Sequence, residues 1–134
     1  MPITPDYLNK LTSAQGLPSA ARTSTATGTG VSFADHEVGV WVDIDLGAIT
    51  GTTPTCVVKL QQSSNDNTAD ASGAADAYTD VTGATISLTD ADANTRTGFM
   101  CYNANEKYLR AVATIGGTNP TFNISVGLHA SPKS

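Results

Sequence analysis

The chain has 134 residues, 40% of them hydrophobic but only 14% charged, with a formal net charge of −5. That length makes one domain, large enough to bury a core without staples. Seven Lys and Arg scattered along the chain cannot form the basic patch that nucleic acid or anionic lipid requires, which excludes both as expected partners.

Residues 1–30 differ in composition from the rest of the chain. Pro2, Pro5 and Pro18 interrupt helices, and Arg22 to Gly30 (RTSTATGTG) is a run of small residues. Tyr7 and Leu8 lie four and three residues before Leu11, a spacing that puts them on one apolar helical face with nothing local to bury it. The segment reads as a docking arm, with those side chains as partner-binding anchors, ahead of a domain at 31–134; the alternative is an N-terminal strand already paired within the domain. The opening residues lack the apolar core of a secretory signal, and no stretch approaches the ~20 apolar residues of a membrane span. The expectation is a soluble protein made in a cytoplasm.

Strand signals start at Val38. Val38, Val40, Val42, Ile44 and Leu46 alternate with Gly39, Trp41, Asp43 and Asp45, the period-2 pattern of a half-buried strand. Trp41 falls on the polar side and is a candidate partner-facing aromatic, although a Trp on a second, partly covered face is the commoner case. Gly47, Gly51 and Pro54 predict a turn. Cys56, Val58 and Leu60 then form one face of a second strand, and Ser63 to Ala77 is a long run of turn formers. Short strands are predicted at Tyr78–Val81 and Thr85–Leu88, divided by Gly83, and at Phe99–Tyr102. Thr89 before Asp90-Ala91-Asp92 is a helix-start signal for a single turn. Two clear strands close the chain. Leu109, Ala111, Ala113 and Ile115 line one face, Gly116 to Pro120 predicts a turn, and Phe122, Ile124, Val126 and Leu128 line the next. Several short strands with no long helix indicate an all-β fold, a β-sandwich or barrel, and the architecture expected is a jelly-roll-like β-sandwich with an extended N-terminal arm.

Chemistry is sparse. The two histidines, His36 and His129, lie in no nucleophile motif. Asp90, Asp92 and Asn94 have the spacing of the first calcium ligands, but Thr95 replaces the following glycine and Cys101 stands at the twelfth position, where a bidentate Glu belongs. Asp66, Thr68 and Asp70 lack a closing acid too. Cys56 and Cys101 are too few for a disulfide framework and read as small buried hydrophobes. No catalytic residue, metal or cofactor is expected, and the low-charge, Thr-rich composition suits a protein that packs against neighbours.

Two stretches carry a resemblance. They are Val57-Val58-Lys59-Leu60-Gln61-Gln62-Ser63 leading to Tyr78-Thr79-Asp80-Val81, and Lys107-Tyr108-Leu109-Arg110-Ala111 leading to the last strand. This layout resembles small structural proteins of tailed bacteriophages that decorate or cement the head. The resemblance covers about residues 38–129 and implies a non-enzymatic virion protein on the capsid surface. Its implied partners are the major capsid protein, bound where capsid subunits meet, and further copies of itself, with a trimer favoured. The same stretches are also similar to galactose-binding-like jelly rolls, which hold glycans in end loops. That alternative would make Trp41, Tyr78 and Tyr102 stacking aromatics; a further alternative is another phage structural component, of the tail or a head fibre.

Overall fold

The computed structural model of the chain describes residues 12–32, 36–64, 78–104, 106 and 108–132. Its strands are β1 (Thr12–Arg22), β2 (Ala26–Thr27), β3 (Val31–Ser32), β4 (His36–Ser63), β5 (Thr79–Thr89), β6 (Arg96–Cys101) and β7 (Tyr108–Pro132). One turn of 3-10 helix, Asp90–Asp92, is the sole helical element among the described residues.

β4 and β7 are the frame. They contain 28 and 25 residues and run antiparallel from Val40↔Ala130 to Ser63↔Tyr108. A straight strand of β4's length would extend about 90 Å, whereas a compact domain of this size has a radius of gyration of about 14 Å. The pair therefore has to bend. It does so where the register breaks, between Leu46 and Thr55 on β4, opposite Gly116 to Phe122 on β7. Four corner residues have positive φ: Gly51 (114°) and Thr53 (45°) on β4, Gly117 (111°) and Asn119 (49°) on β7.

The bend turns one seven-stranded antiparallel sheet into two facing layers. The first layer holds β1, the C-terminal half of β7, the N-terminal half of β4, and β6. The second holds β2 and β3, the N-terminal half of β7, the C-terminal half of β4, and β5. This interleaving is the strand order of a jelly roll. Val42, Ile44, Phe122 and Leu128 of the first layer meet Cys56, Val58, Leu60 and Leu109 of the second in one buried cluster. The alternation in the sequence thus marks the inner face of each half-strand.

Three expectations need correction. The first is the arm. β1 pairs with β7 from Thr12↔Ala130 to Arg22↔Phe122, and Leu17 is buried in the core. The division at residue 30 is therefore not where the fold divides. Leu17 is a lone large hydrophobe among small residues, so no periodicity announces it. Pro18 is tolerated because β1 is an edge strand and the register breaks there. The small-residue run after it has a packing cause: Gly28 donates its N–H to the Ala111 carbonyl at 2.8 Å, and a Cβ at Gly28 would collide with the Gly16 carbonyl. The second concerns Gly47–Pro54 and Gly116–Pro120. Neither reverses the chain; both are corners within continuous strands. The third is the pair of short strands around Gly83. They are one strand, β5, which bulges opposite Lys59–Gln61 with Gly83 at φ 78°.

The corner predicts a graded set of substitutions. A Cβ at Gly117 would lie 2.7 Å from the Thr53 carbonyl oxygen, and one at Gly51 would lie 2.8 Å from that of Asn119, whereas Gly83 has open space. Gly51→Ala and Gly117→Ala each carry backbone strain of about 1–3 kcal/mol plus a main-chain clash. Gly83→Ala carries the backbone cost alone. Urea unfolding should rank both corner variants below Gly83→Ala in stability.

Candidate interaction surface

The outer side of the first layer carries the exposed large hydrophobics. Trp41, Met100 and Tyr102 are 40%, 41% and 70% exposed. Trp41 follows the strand alternation onto this side, between inward Val40 and Val42, and its cross-strand partner on β6 is Met100. A glycine on β6 lets the indole lie flat. The Trp41 ring carbons Cζ2 and Cη2 would be 3.0 and 3.1 Å from a Cβ at Gly98. At Gly39 a Cβ would sit 3.6 Å from both Met100 Cε and the Tyr102 ring. The product is a continuous apolar plate along β6, which pairs only with β4 among the described residues.

Beside the plate, the face becomes polar. Arg96 Nη2 donates to Asp43 Oδ2 at 2.9 Å, tying β6 to β4. His129 Nδ1 and Ser13 Oγ are 2.8 Å apart, tying β7 to β1. Ser13, His129 and Asp43 thus lie near one another, yet they do not form a nucleophile-activating triad. His129 Nε2 is 4.0 Å from Asp43 Oδ2, beyond hydrogen-bond reach, and that oxygen is already held by Arg96. Between β1 and β4 runs a shallow trench of about 300 Å³, floored by Gly127 and Ser125.

The second layer's outer side explains the motif residues. Asp80 accepts from Gln61 Nε2 at 2.9 Å and pairs with Lys59 Nζ at 3.1 Å. Arg110 Nε donates to Gln61 Oε1 at 2.8 Å, and its guanidinium lies 4.0 Å over the Tyr78 ring. Lys59, Gln61, Tyr78, Asp80 and Arg110 are therefore one cross-strand network joining β7, β4 and the start of β5. Tyr78 stacks on Arg110 instead of standing free as a ligand platform.

Other singled-out residues take structural roles. Asp92 Oδ2 accepts from the Thr89 backbone N–H at 2.9 Å and Thr89 Oγ1 from that of Ala91 at 3.3 Å, so the calcium-like spacing is a capped turn. Among the described residues, no three His, Cys, Asp or Glu side chains are grouped to hold a metal. Cys56 and Cys101 are free and buried, and burial pushes the Cys56 thiol up to about 11. Of the expected anchors, Trp41 is on the surface as described, whereas Tyr7, Leu8 and Leu11 lie outside the described residues. Sequence reading missed Met100, although its place between inward Phe99 and Cys101 signals an outward side chain.

No family model matches the chain, and no curated protein does. Among solved structures it is similar to a chain from work describing Bacillus endospore appendages as a novel family of disulfide-linked pili. That chain is 13% identical, with 93% of this chain and 90% of that one covered and a TM-score of 0.45.

Two measurements check these assignments. The hydrogen bond from Gln61, followed by the contact with Lys59, holds the Asp80 carboxyl below the usual range. A carboxyl lowered in the folded state contributes stability above its unfolded pKa of about 3.9, and that contribution is lost as pH falls through the folded value. Asp80→Asn should melt below the parent at pH 6, with the gap closing in strong acid. Cys56 shifts the opposite way: its raised pKa favours the fold below its unfolded value and costs stability as pH climbs from about 9 towards 11. Cys56→Ala should therefore lose part of the parent's alkaline decline in urea midpoint, and thiol reagents should label Cys56 only on unfolding.

Proposed function

We propose that this protein is a non-enzymatic structural component of a tailed-phage virion, which attaches to the capsid surface through the apolar plate at the β4–β6 end of its first layer. The observation that carries the reading is the plate of Trp41, Met100 and Tyr102. Large apolar side chains gathered on one exposed area characterise protein–protein contacts, and aromatic and Met side chains are enriched at interface cores. The phage resemblance supplies the partner, a capsid subunit. The sparse charge of the chain is consistent with it, because few ions have to be desolvated when the face is covered. Self-association into a trimer belongs to the same proposal and would bring several plates to one capsid site, adding avidity.

The plate is the test. A central interface aromatic typically costs at least 2 kcal/mol when truncated, which is more than tenfold in affinity. Trp41→Ser is expected to weaken binding to undecorated particles by at least that factor in a co-sedimentation titration. The melting temperature should stay near the parent's, because the indole packs on the outside of the sheet. Undiminished attachment by Trp41→Ser, Met100→Ser and Tyr102→Ser alike would overturn the docking surface.

A further inference from the structure

The trench beside the plate is a second site. Its floor follows β7, whose outward residues there are Ser125 and Gly127. One wall is β1, with Ser13 and Gln15; the other is β4, with Asp43 and Asp45. The His129–Ser13 contact at 2.8 Å closes one end. At the other, Asn123 Nδ2 donates to the Ala48 carbonyl at 2.8 Å, and a smaller recess of about 220 Å³ shares Asp45 and Ser125. From residue 129 to residue 123 the floor is about 20 Å long. It is an elongated channel on a sheet face, with polar side chains along its walls and apolar ground between them.

Its chemistry narrows the occupant. Gln15 and Ser125 can each both donate and accept, Asp43 and Asp45 accept, and Arg96 donates. Arg96 neutralises Asp43, whereas no ion pair is found for Asp45 among the described residues, so the trench keeps a net negative charge. That repels anionic ligands. A cation would gain from Asp45 but would meet Arg96 close by. An uncharged ligand carrying many hydroxyls, each able to donate and accept, satisfies the walls without either conflict. Its extended form would match the channel. We infer that the trench between β1 and β4 binds a short, linear, uncharged oligosaccharide, with Asp45, Ser125 and Gln15 as its hydrogen-bonding residues.

This site is separate from the apolar plate, because Trp41, Met100 and Tyr102 do not line the trench. The two proposals therefore fail independently. The test is an array of neutral and anionic glycans, followed by an amide NMR titration of the full chain with the strongest neutral hit, or with cellotetraose and maltotetraose where the array yields none. The expected result is saturable shifts centred on Gln15, Asp45, Ser125 and Gly127. Asp45→Ala should weaken that binding at least tenfold, and Ser125→Tyr, which fills the channel from the solvent side, should abolish it. Both variants should keep the parent's melting temperature and particle attachment, whereas Trp41→Ser should keep the glycan shifts. Binding of anionic glycans alone, neutral binding unchanged in both trench variants, or no shifts with any neutral oligosaccharide would each overturn the inference.

Discussion

The corner shared by β4 and β7 is the constraint on which the molecule depends. Gly51 packs against the backbone of residues 118–120, and Gly117 packs against the backbone of residues 52–54. Each strand's bend is the other's contact surface, so neither can fold over alone. Both glycines have φ near +110°, a region that side-chain-bearing residues rarely adopt. Closing this corner brings Val42 and Ile44 over Val58 and Leu60 in one core. Most of the sheet's pairing is between residues far apart in sequence, so its ordering entropy must be recovered by a core that exists only once the corner has formed.

With the corner set, the outer sides of the two layers diverge. The second layer uses its outward residues on itself: Lys59, Gln61, Asp80 and Arg110 bind one another across three strands. They pin β5 where its bulge at Gly83 would otherwise weaken the ladder. The first layer places its polar ties at intervals, Arg96–Asp43 and His129–Ser13, and leaves apolar and polar ground between them. A side that satisfies its own groups has little to offer a ligand. A side that leaves carboxylates, hydroxyls and an indole exposed is available for binding.

Wherever a strand alternates, its inner face was legible in the sequence, because period 2 is a property of the backbone and survives any topology. The four apolar residues from Phe122 to Leu128 are buried as their spacing requires. The corners were not legible. Gly-Pro-rich stretches signal a change of direction but not whether the chain reverses or bends over to the facing layer, and that depends on the partner strand. β1 was legible only as the alternative to an arm, for a related reason: it contributes a single large side chain, Leu17, and an edge strand needs no more. The interaction surface was half legible. Alternation put Trp41 outside and carries the same signal for Met100, but that the two are neighbours depends on the β4–β6 register, which no local pattern encodes. The motif carrying the phage resemblance turned out to mark a cross-strand network, so its residues report on the fold more directly than on a binding event.

The glycines beneath the plate bear on whether Trp41 is an accident of alternation. A glycine inside a strand costs roughly 0.5–1 kcal/mol relative to alanine and packs nothing. Gly39 and Gly98 both occupy outward positions on the strands that hold Trp41, Met100 and Tyr102. A side chain at Gly98 would lift the indole off β6, and its Cβ would also crowd the Val42 carbonyl. The Gly98 position is thus partly dictated by close backbone approach. Gly39 is different, since a Cβ there meets only side-chain atoms at ordinary contact distance. Nothing in the fold itself requires a glycine at 39. What a residue this small does achieve, alanine serving as well as glycine, is room for Met100 and Tyr102 to close over the strand, which keeps the apolar ground flat up to the sheet edge. Flatness adds nothing to the stability of the isolated domain, but it lets a broad, flat partner approach all three side chains at once.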